Sequence, residues 1–396
     1  MWKNSNKKTN HCFSSKILIA AVAVIVALIV AFPATTKFLQ TVLTPVPRTY
    51  TVVGKYIIDN QGNVFIPYGV QLDGILMAQY NWATDSALKY LTQSQVQAAH
   101  DFWHANTVSL QLGSRAFFDR SPYDKNYLSV ADNVVTWAKN LKMNVLFVLQ
   151  YEGVGNSSQP MPTQDSIHFW DVLSRHYATN ANVFFDVFNE PNPAVLLGST
   201  SDNSVVWSFW QNGGTVNDIN YVGMQQLVNT IRNNGFKNLV FVDGTASGED
   251  INLLPHHTLT GSNIVYAIHP YLSSKQHGTP AQWDAWFGNA TTSGNFPVEA
   301  DEWSQYQDRY SSHTGCMTNA PIVVPQFLIY LRSKNIGLIG YALFPGTLIR
   351  GWNFTNPTTF DRNPETCPVV SSHDYSSTAQ GGGQLLEEYF AAYSKQ

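Results

Sequence analysis

Two glutamates at the ends of apolar stretches carry the chemistry this sequence can perform. In the stretch 183–192, Val-Phe-Phe-Asp-Val-Phe-Asn-Glu-Pro-Asn, mostly apolar residues lead straight into Asn189, Glu190 and Pro191. Such a run fits a strand buried on both faces that surfaces at its C-terminal end, where Pro191 removes a backbone donor and stops the strand. Further on, the stretch 296–303, Phe-Pro-Val-Glu-Ala-Asp-Glu-Trp, sets three acids at the end of another strand. Burying them together is costly unless they are paired or hydrogen-bonded, and a cost of that kind marks a site. Side chains alternate along a strand, so Glu302 shares its side with Val298 and Ala300, and Glu299 shares the other with Asp301. Glu302, the last acid and the neighbour of Trp303, is placed to reach over the strand end. Two facing carboxylates suit cleavage of a glycosidic bond: one gives a proton to the leaving oxygen while the other attacks the anomeric carbon, and a separation of about 5–5.5 Å gives retention. Proximity of the two charges raises one of the pKa values. Glu190 is expected as the acid and then the base, and Glu302 as the nucleophile. Glu299 is the reserve, because registers read from sequence slip by a residue or two.

Positioning these residues falls to an alternation of strands and helices. Residues 56–58 and 64–66 flank Asp59-Asn60-Gln61-Gly62 as an opening β-hairpin, and a strand follows at 68–72. Helices are expected at 92–105, 127–141, 163–180, 219–234, 279–289, 320–335 and 383–394, on apolar residues at three- and four-residue steps. Strands are expected at 106–112, 144–150, 183–188, 238–243, 264–268, 296–300 and 337–344. Counted from Gly69 these make eight strands, each trailed by a helix or a long loop. Helical crossovers imply parallel pairing, and the count fits a single (β/α)8 TIM barrel spanning 49–396. The strands ending at Glu190 and Glu302, fourth and seventh, lie across such a barrel. The stretches 198–220 and 304–321 are expected as rim loops.

Composition bounds the substrate. The chain has 396 residues, 44% of them hydrophobic and only 13% charged, and its net charge is −4. There is no basic field for nucleic acid, and nothing favours a polyionic substrate. Eleven Trp, 19 Tyr and 22 Phe supply flat apolar faces of the kind that sugar rings stack on, although most are expected in the core. No histidine or cysteine spacing resembles a zinc site, His256-His257 included, and no metal or cofactor is expected. Residues 1–16 hold Lys3, Lys7, Lys8 and Lys16 and no acid, and an unbroken apolar run follows at 17–32. The segment 17–34 is expected either as an uncleaved transmembrane anchor, with the lysines inside and the catalytic domain outside the cell membrane, or as a cleaved signal peptide of a secreted protein. Residues 35–48 form a linker. Of the three cysteines, Cys12 precedes the apolar run, leaving Cys316 and Cys367 either bridged in an oxidising compartment or free.

Over nearly all of 54–394 the sequence resembles glycoside hydrolase family 5, the cellulases and mannanases. The resemblance rests on the opening hairpin with Gly62 and Tyr68-Gly69-Val70, on Asn189-Glu190-Pro191, on His269-Pro270-Tyr271 after the sixth strand, and on Pro297, Glu302 and Trp303. It implies a retaining β-glycosidase in which Asn189 binds the sugar 2-hydroxyl, His269 and Tyr271 hold the nucleophile and the reacting sugar, and Trp303 belongs to the substrate site. Three departures stand out. Ser109 occupies the place of the second-strand Arg that supports the family's nucleophile, with Arg115 nearby as a replacement. Gln150 stands where the third strand ends in a His. Phe344 stands in place of the eighth-strand Trp platform, with Trp352 as a substitute. The resemblance implies a β-linked oligo- or polysaccharide substrate, glucan or mannan; the departures motivate an alternative, a carbohydrate-binding barrel with weak catalysis.

Overall fold

Val183–Asp186 has no exposed face: all of its residues are buried, which a strand achieves only between a packed interior and an outer layer. The computed structural model describes residues 49–72, 91–114, 127–152, 159–198, 203–272, 278–304, 320–343, 348–349 and 383–393. The chain divides into two units, Met1–Pro47 and Arg48–Gln396, and the description concerns the second. The segments expected at 1–16 and 17–34, the linker at 35–48, and Arg115, Cys316, Phe344, Trp352 and Cys367 lie outside the described residues. No helix among the described residues is long and apolar enough to cross a membrane.

Three short strands come first: β1 (Tyr50–Val53), β2 (Tyr56–Asp59) and β3 (Val64–Phe65). They form an antiparallel sheet. Eight parallel strands follow: β4 (Tyr68–Leu72), β5 (Thr107–Gly113), β6 (Asn144–Tyr151), β7 (Val183–Asp186), β10 (Val240–Asp243), β11 (Ile264–Ile268), β12 (Val298–Trp303) and β13 (Gly337–Gly340). They close into a barrel in chain order, β13 pairing with β4, as the alternation of elements predicts. A two-stranded sheet of β8 (Gly213–Val216) and β9 (Ile219–Val222) stands apart.

The core has two compartments. Leu146, Phe184, Phe241, Val265 and Ala267 fill the barrel and join Tyr50, Ile57 and Phe65 of the opening sheet. The Tyr50 ring meets Phe184 edge-on at 5.2 Å, and the Tyr50 hydroxyl bonds Asn144 at the start of β6. The small sheet therefore plugs the end of the barrel where the strands begin. Alternate residues such as Phe185, Val242, Ile268 and Ala300 pack outward among the helices.

The structure departs from the sequence reading at four elements. A helix was expected from 219, but residues 219–222 pair with 213–216 and the helix runs Met224–Asn233. Asn217 and Asp218 adopt φ of 49° and 62°, the left-handed pair that a tight two-residue hairpin turn requires. The expected rim loop at 198–220 thus holds a helix, Asn203–Asn212, with Trp207 and Trp210 fully buried, and this hairpin. The expected helix 279–289 is broken into Pro280–Trp283, a wide π turn over Asp284–Gly288, and Asn289–Thr292. The seventh barrel strand runs to Trp303 rather than ending at Ala300, because it carries the irregularity on which the site depends.

Candidate active site

Strict alternation along β12 would turn Glu302 outward, because Val298 and Ala300 both pack in the helix-facing core. On β13, however, Ala300 pairs with Leu338 and Trp303 with Gly340, so β12 carries one residue more than its neighbour over this interval. Such a bulge re-aims the side chains beyond it. Glu302 swings inward, and Trp303 is driven outward. Trp303 is 1% exposed and packs on Phe327 with ring centroids 5.6 Å apart; it cannot offer a face to a sugar, which corrects its expected place in the substrate site. Glu299 lies lower in the barrel, 1% exposed, and accepts the Gly337 N–H at 3.1 Å. That depth removes it as the reserve nucleophile.

Glu302 sits among three donors or charges. The Tyr271 hydroxyl donates to Oε1 at 2.8 Å, Gln111 Nε2 donates to Oε2 at 3.1 Å, and His269 Nδ1 stands 3.9 Å from Oε1. Burial pushes the Glu302 carboxyl above the ordinary glutamate value; the His269 charge opposes this, the Glu190 charge adds to it, and the Tyr271 and Gln111 bonds favour the ionised form. Burial also drives the Tyr271 phenol well above its usual range, so it stays a donor.

Glu190 enters from the exit of β7 with a left-handed backbone, φ 54°. A non-glycine residue holds that conformation only where its surroundings enforce it. Its own N–H donates to Asp243 Oδ2 at 2.8 Å, while the Asn189 N–H donates to the Leu149 carbonyl at 3.0 Å. The turn after β10 holds the other side: Ala246, Ser247 and Gly248 all have positive φ, the Ser247 N–H donates to the Pro191 carbonyl, and Asn192 donates to the Ser247 hydroxyl. Glu190 Oε1 then lies 3.0 Å from His269 Nδ1. One oxygen of Glu190, one nitrogen of His269 and one oxygen of Glu302 all lie within 4.8 Å of one another. The side chain of Glu190 is 38% exposed, that of Glu302 11%.

The other expected residues divide. His269 is central and 1% exposed. Asn189 is buried beside Glu190 with its Oδ1 unpartnered. Gln150, near the end of β6, is half-buried, and its Oε1 has no partner either. Ser109 does not reach the site: it is fully buried with its hydroxyl unpartnered, and Gln111, two residues on along β5, supports Glu302 instead. Sequence reasoning missed Gln111 because the register of a buried strand is invisible without its neighbour.

It named Asp301 among the three acids of its strand without giving it a role, and it passed over Asp186 and Asp243, which lie with it below the rim. Asp186, Asp243 and Asp301 are at most 2% exposed. His269 Nε2 lies 3.4 Å from Asp243 Oδ2 and 3.4 Å from Asp301 Oδ1. Burial, then the Asp243 charge, push the Asp301 carboxyl up to about 6. Burial, then the Asp301 charge, raise the Asp186 carboxyl well above its ordinary value. Burial alone would lower the His269 pKa, but the surrounding carboxylates, Asp243 and Glu302 foremost, raise it well above its ordinary value.

The family model for cellulases, glycosyl hydrolase family 5, matches residues 58–345. An endoglucanase from Clostridium saccharobutylicum is 21% identical over 329 residues, 79% of this chain and 65% of the relative; endoglucanase A of Butyrivibrio fibrisolvens is 23% identical over 158 residues, 39% of this chain and 33% of the relative. The chain thus spans between a third and two thirds of these relatives. Among solved structures, a beta-glucanase from Saccharophagus degradans in complex with cellotetraose has a TM-score of 0.64 at 18% identity, covering 88% of this chain and 94% of that one. The catalytic domain of a Thermobifida fusca endoglucanase reaches 0.59 at 15% identity, covering 87% and 97%.

Proposed function

From the premise that the chain belongs to glycosyl hydrolase family 5, we propose that it cleaves β-linked glucan within the chain, by double displacement with retention. The observation that carries this reading is the approach of Glu190 and Glu302 to within 4.8 Å across the rim, close to the separation of about 5–5.5 Å that retaining enzymes use. In the first step Glu190, protonated, gives its proton to the glycosidic oxygen as Glu302 attacks the anomeric carbon, forming a glycosyl ester on Glu302. In the second, Glu190 takes a proton from water, the hydroxide adds to the anomeric carbon, and Glu302 leaves as carboxylate. Tyr271 and Gln111 hold Glu302 in line for attack, and the free Asn189 Oδ1 accepts a sugar hydroxyl, where a bond that strengthens in the transition state contributes most. Glucan is favoured over mannan because the relatives above are named as endoglucanases and a beta-glucanase.

The test is a screen of the full chain and of Glu302→Ala on β-glucans, β-mannans and aryl glycosides, together with trapping by a 2-fluoro glycoside and peptide mapping. Turnover by the parent, its loss in the variant and a label on Glu302 are expected; a label on another residue overturns the assignment. The neutral Gln111 beside Glu302 favours a second reading, a barrel that binds glycan and turns it over slowly, which predicts retained oligosaccharide and no trapped ester.

The apolar run 17–32 behind four lysines supports a membrane anchor with the barrel outside. Protease added to intact cells should then release the barrel, and carbonate should not extract the chain from membranes. A chain found only in the medium sinks this part.

A further inference from the structure

The cluster beneath the rim does more than fill the barrel. Both oxygens of Asp301 are buried, and no amide or hydroxyl donor reaches them. An ionised carboxylate so placed is tolerated only beside a positive charge, and the group within reach is His269 Nε2 at 3.4 Å. Asp243 approaches the same nitrogen at 3.4 Å with an oxygen already anchored by the Glu190 N–H. On the other side of the ring, Nδ1 faces Glu190 at 3.0 Å and Glu302 at 3.9 Å. A neutral imidazole has one N–H and could serve one side alone; four carboxylates around both nitrogens call for two. Among the described residues, the partners that hydrogen-bond Glu302 are the uncharged Gln111 and Tyr271.

We propose that Asp301, with Asp243, holds His269 as a doubly protonated imidazolium, and that this buried cation is the positive charge against which Glu302 stays ionised. Asp301 and Asp243 are positioning residues acting through His269. Asp186, from β7, keeps its own proton, raised by burial and by the Asp301 charge, which leaves the negative charge on Asp301, the carboxylate that faces the ring. The groups facing His269 are Glu190 from the exit of β7, Asp243 from β10, and Asp301 and Glu302 from β12; Asp186 and Glu249 act from farther off. The proposal rests on the reading of Glu302 as nucleophile, but its principal test does not.

That test is a pH titration of the imidazole nitrogens by NMR in the full chain labelled with 15N-histidine, without substrate, the His269 signals being assigned by their loss in His269→Asn. In the parent, both nitrogens should remain protonated at pH 8. In Asp301→Asn, and in Asp243→Asn should the first variant not fold, His269 should lose a proton at least tenfold more readily. The ratio of variant to parent kcat/KM should fall about tenfold from pH 5 to pH 8, a dependence that loss of packing alone does not produce. A neutral His269 in the parent at pH 7, or an unshifted titration in the folded variants, overturns the proposal. So does one equivalent of a divalent metal in the purified chain whose removal by EDTA changes the His269 signals, since a cation among the same atoms would take the place of the proton. Glycoside labelling of a residue other than Glu302, with the His269 titration as described, would instead fail the assignment of the nucleophile and leave the imidazolium standing.

Discussion

At Glu302 the competing effects on its charge can be ranked. Burial raises its pKa, and the bonds from Tyr271 and Gln111 oppose this without cancelling it. Under the proposed mechanism kcat/KM therefore falls as Glu302 takes up a proton, below a pH higher than the ordinary glutamate value of about 4.3; a pH–rate profile whose acid limb lies at or below that value would contradict it. A hydrogen bond to a charged group is worth about 1.5–3 kcal/mol. Gln111→Ala should accordingly lower kcat/KM by roughly tenfold to a hundredfold with little change in melting temperature. With Glu190 in its proposed role as proton donor, Glu190→Ala should cost about 10²–10⁴ on natural glucan, and much less on an aryl glycoside whose leaving group needs no proton.

Among the elements, the β12 bulge and the turn after β10 decide the geometry. The bulge sends Trp303 into the layer between barrel and helices, so Trp303→Ala should destabilise the fold by about 3–5 kcal/mol. Its effect should appear in the denaturant midpoint rather than in KM; a large rise in KM with unchanged stability would restore Trp303 to the substrate site. Gly248 has φ +76°, and a Cβ there would meet the His269 ring at 3.1 Å. Gly248→Ala is strained on both counts and should lower kcat/KM more than it lowers stability, as judged by paired kinetics and thermal melts.

Across the whole molecule, the buried acids make stability depend on pH. Asp301 is pushed up to about 6, and Asp186, Asp243 and Glu299 are also raised well above their ordinary values, so the folded state binds these protons more tightly than the unfolded chain. Their contribution is complete below the unfolded value of about 3.9 and is lost as pH rises through about 6 and beyond; His269, raised above its ordinary value, acts in the same direction. The melting temperature should therefore fall by several degrees from pH 4.5 to pH 8, and Asp301→Asn should flatten that slope; a melting temperature that rises over this range would contradict it. Much of this architecture was legible beforehand. Apolar runs of strand length, helix-spaced apolar residues between them and Asn-Glu-Pro at a strand exit determined the barrel and Glu190, because hydrophobic period and breaker residues are local properties. Glu302 was singled out as the last of three acids at a strand end, but strict alternation along β12 would turn it outward with Val298 and Ala300, and the extra residue against β13 is what turns it in. Gln111 over Ser109, the burial of Trp303 and the aspartates beneath His269 were settled by tertiary structure alone. Each depends on which residues of separate strands stand at one height in a closed barrel, and that height is set by pairing between strands far apart in sequence.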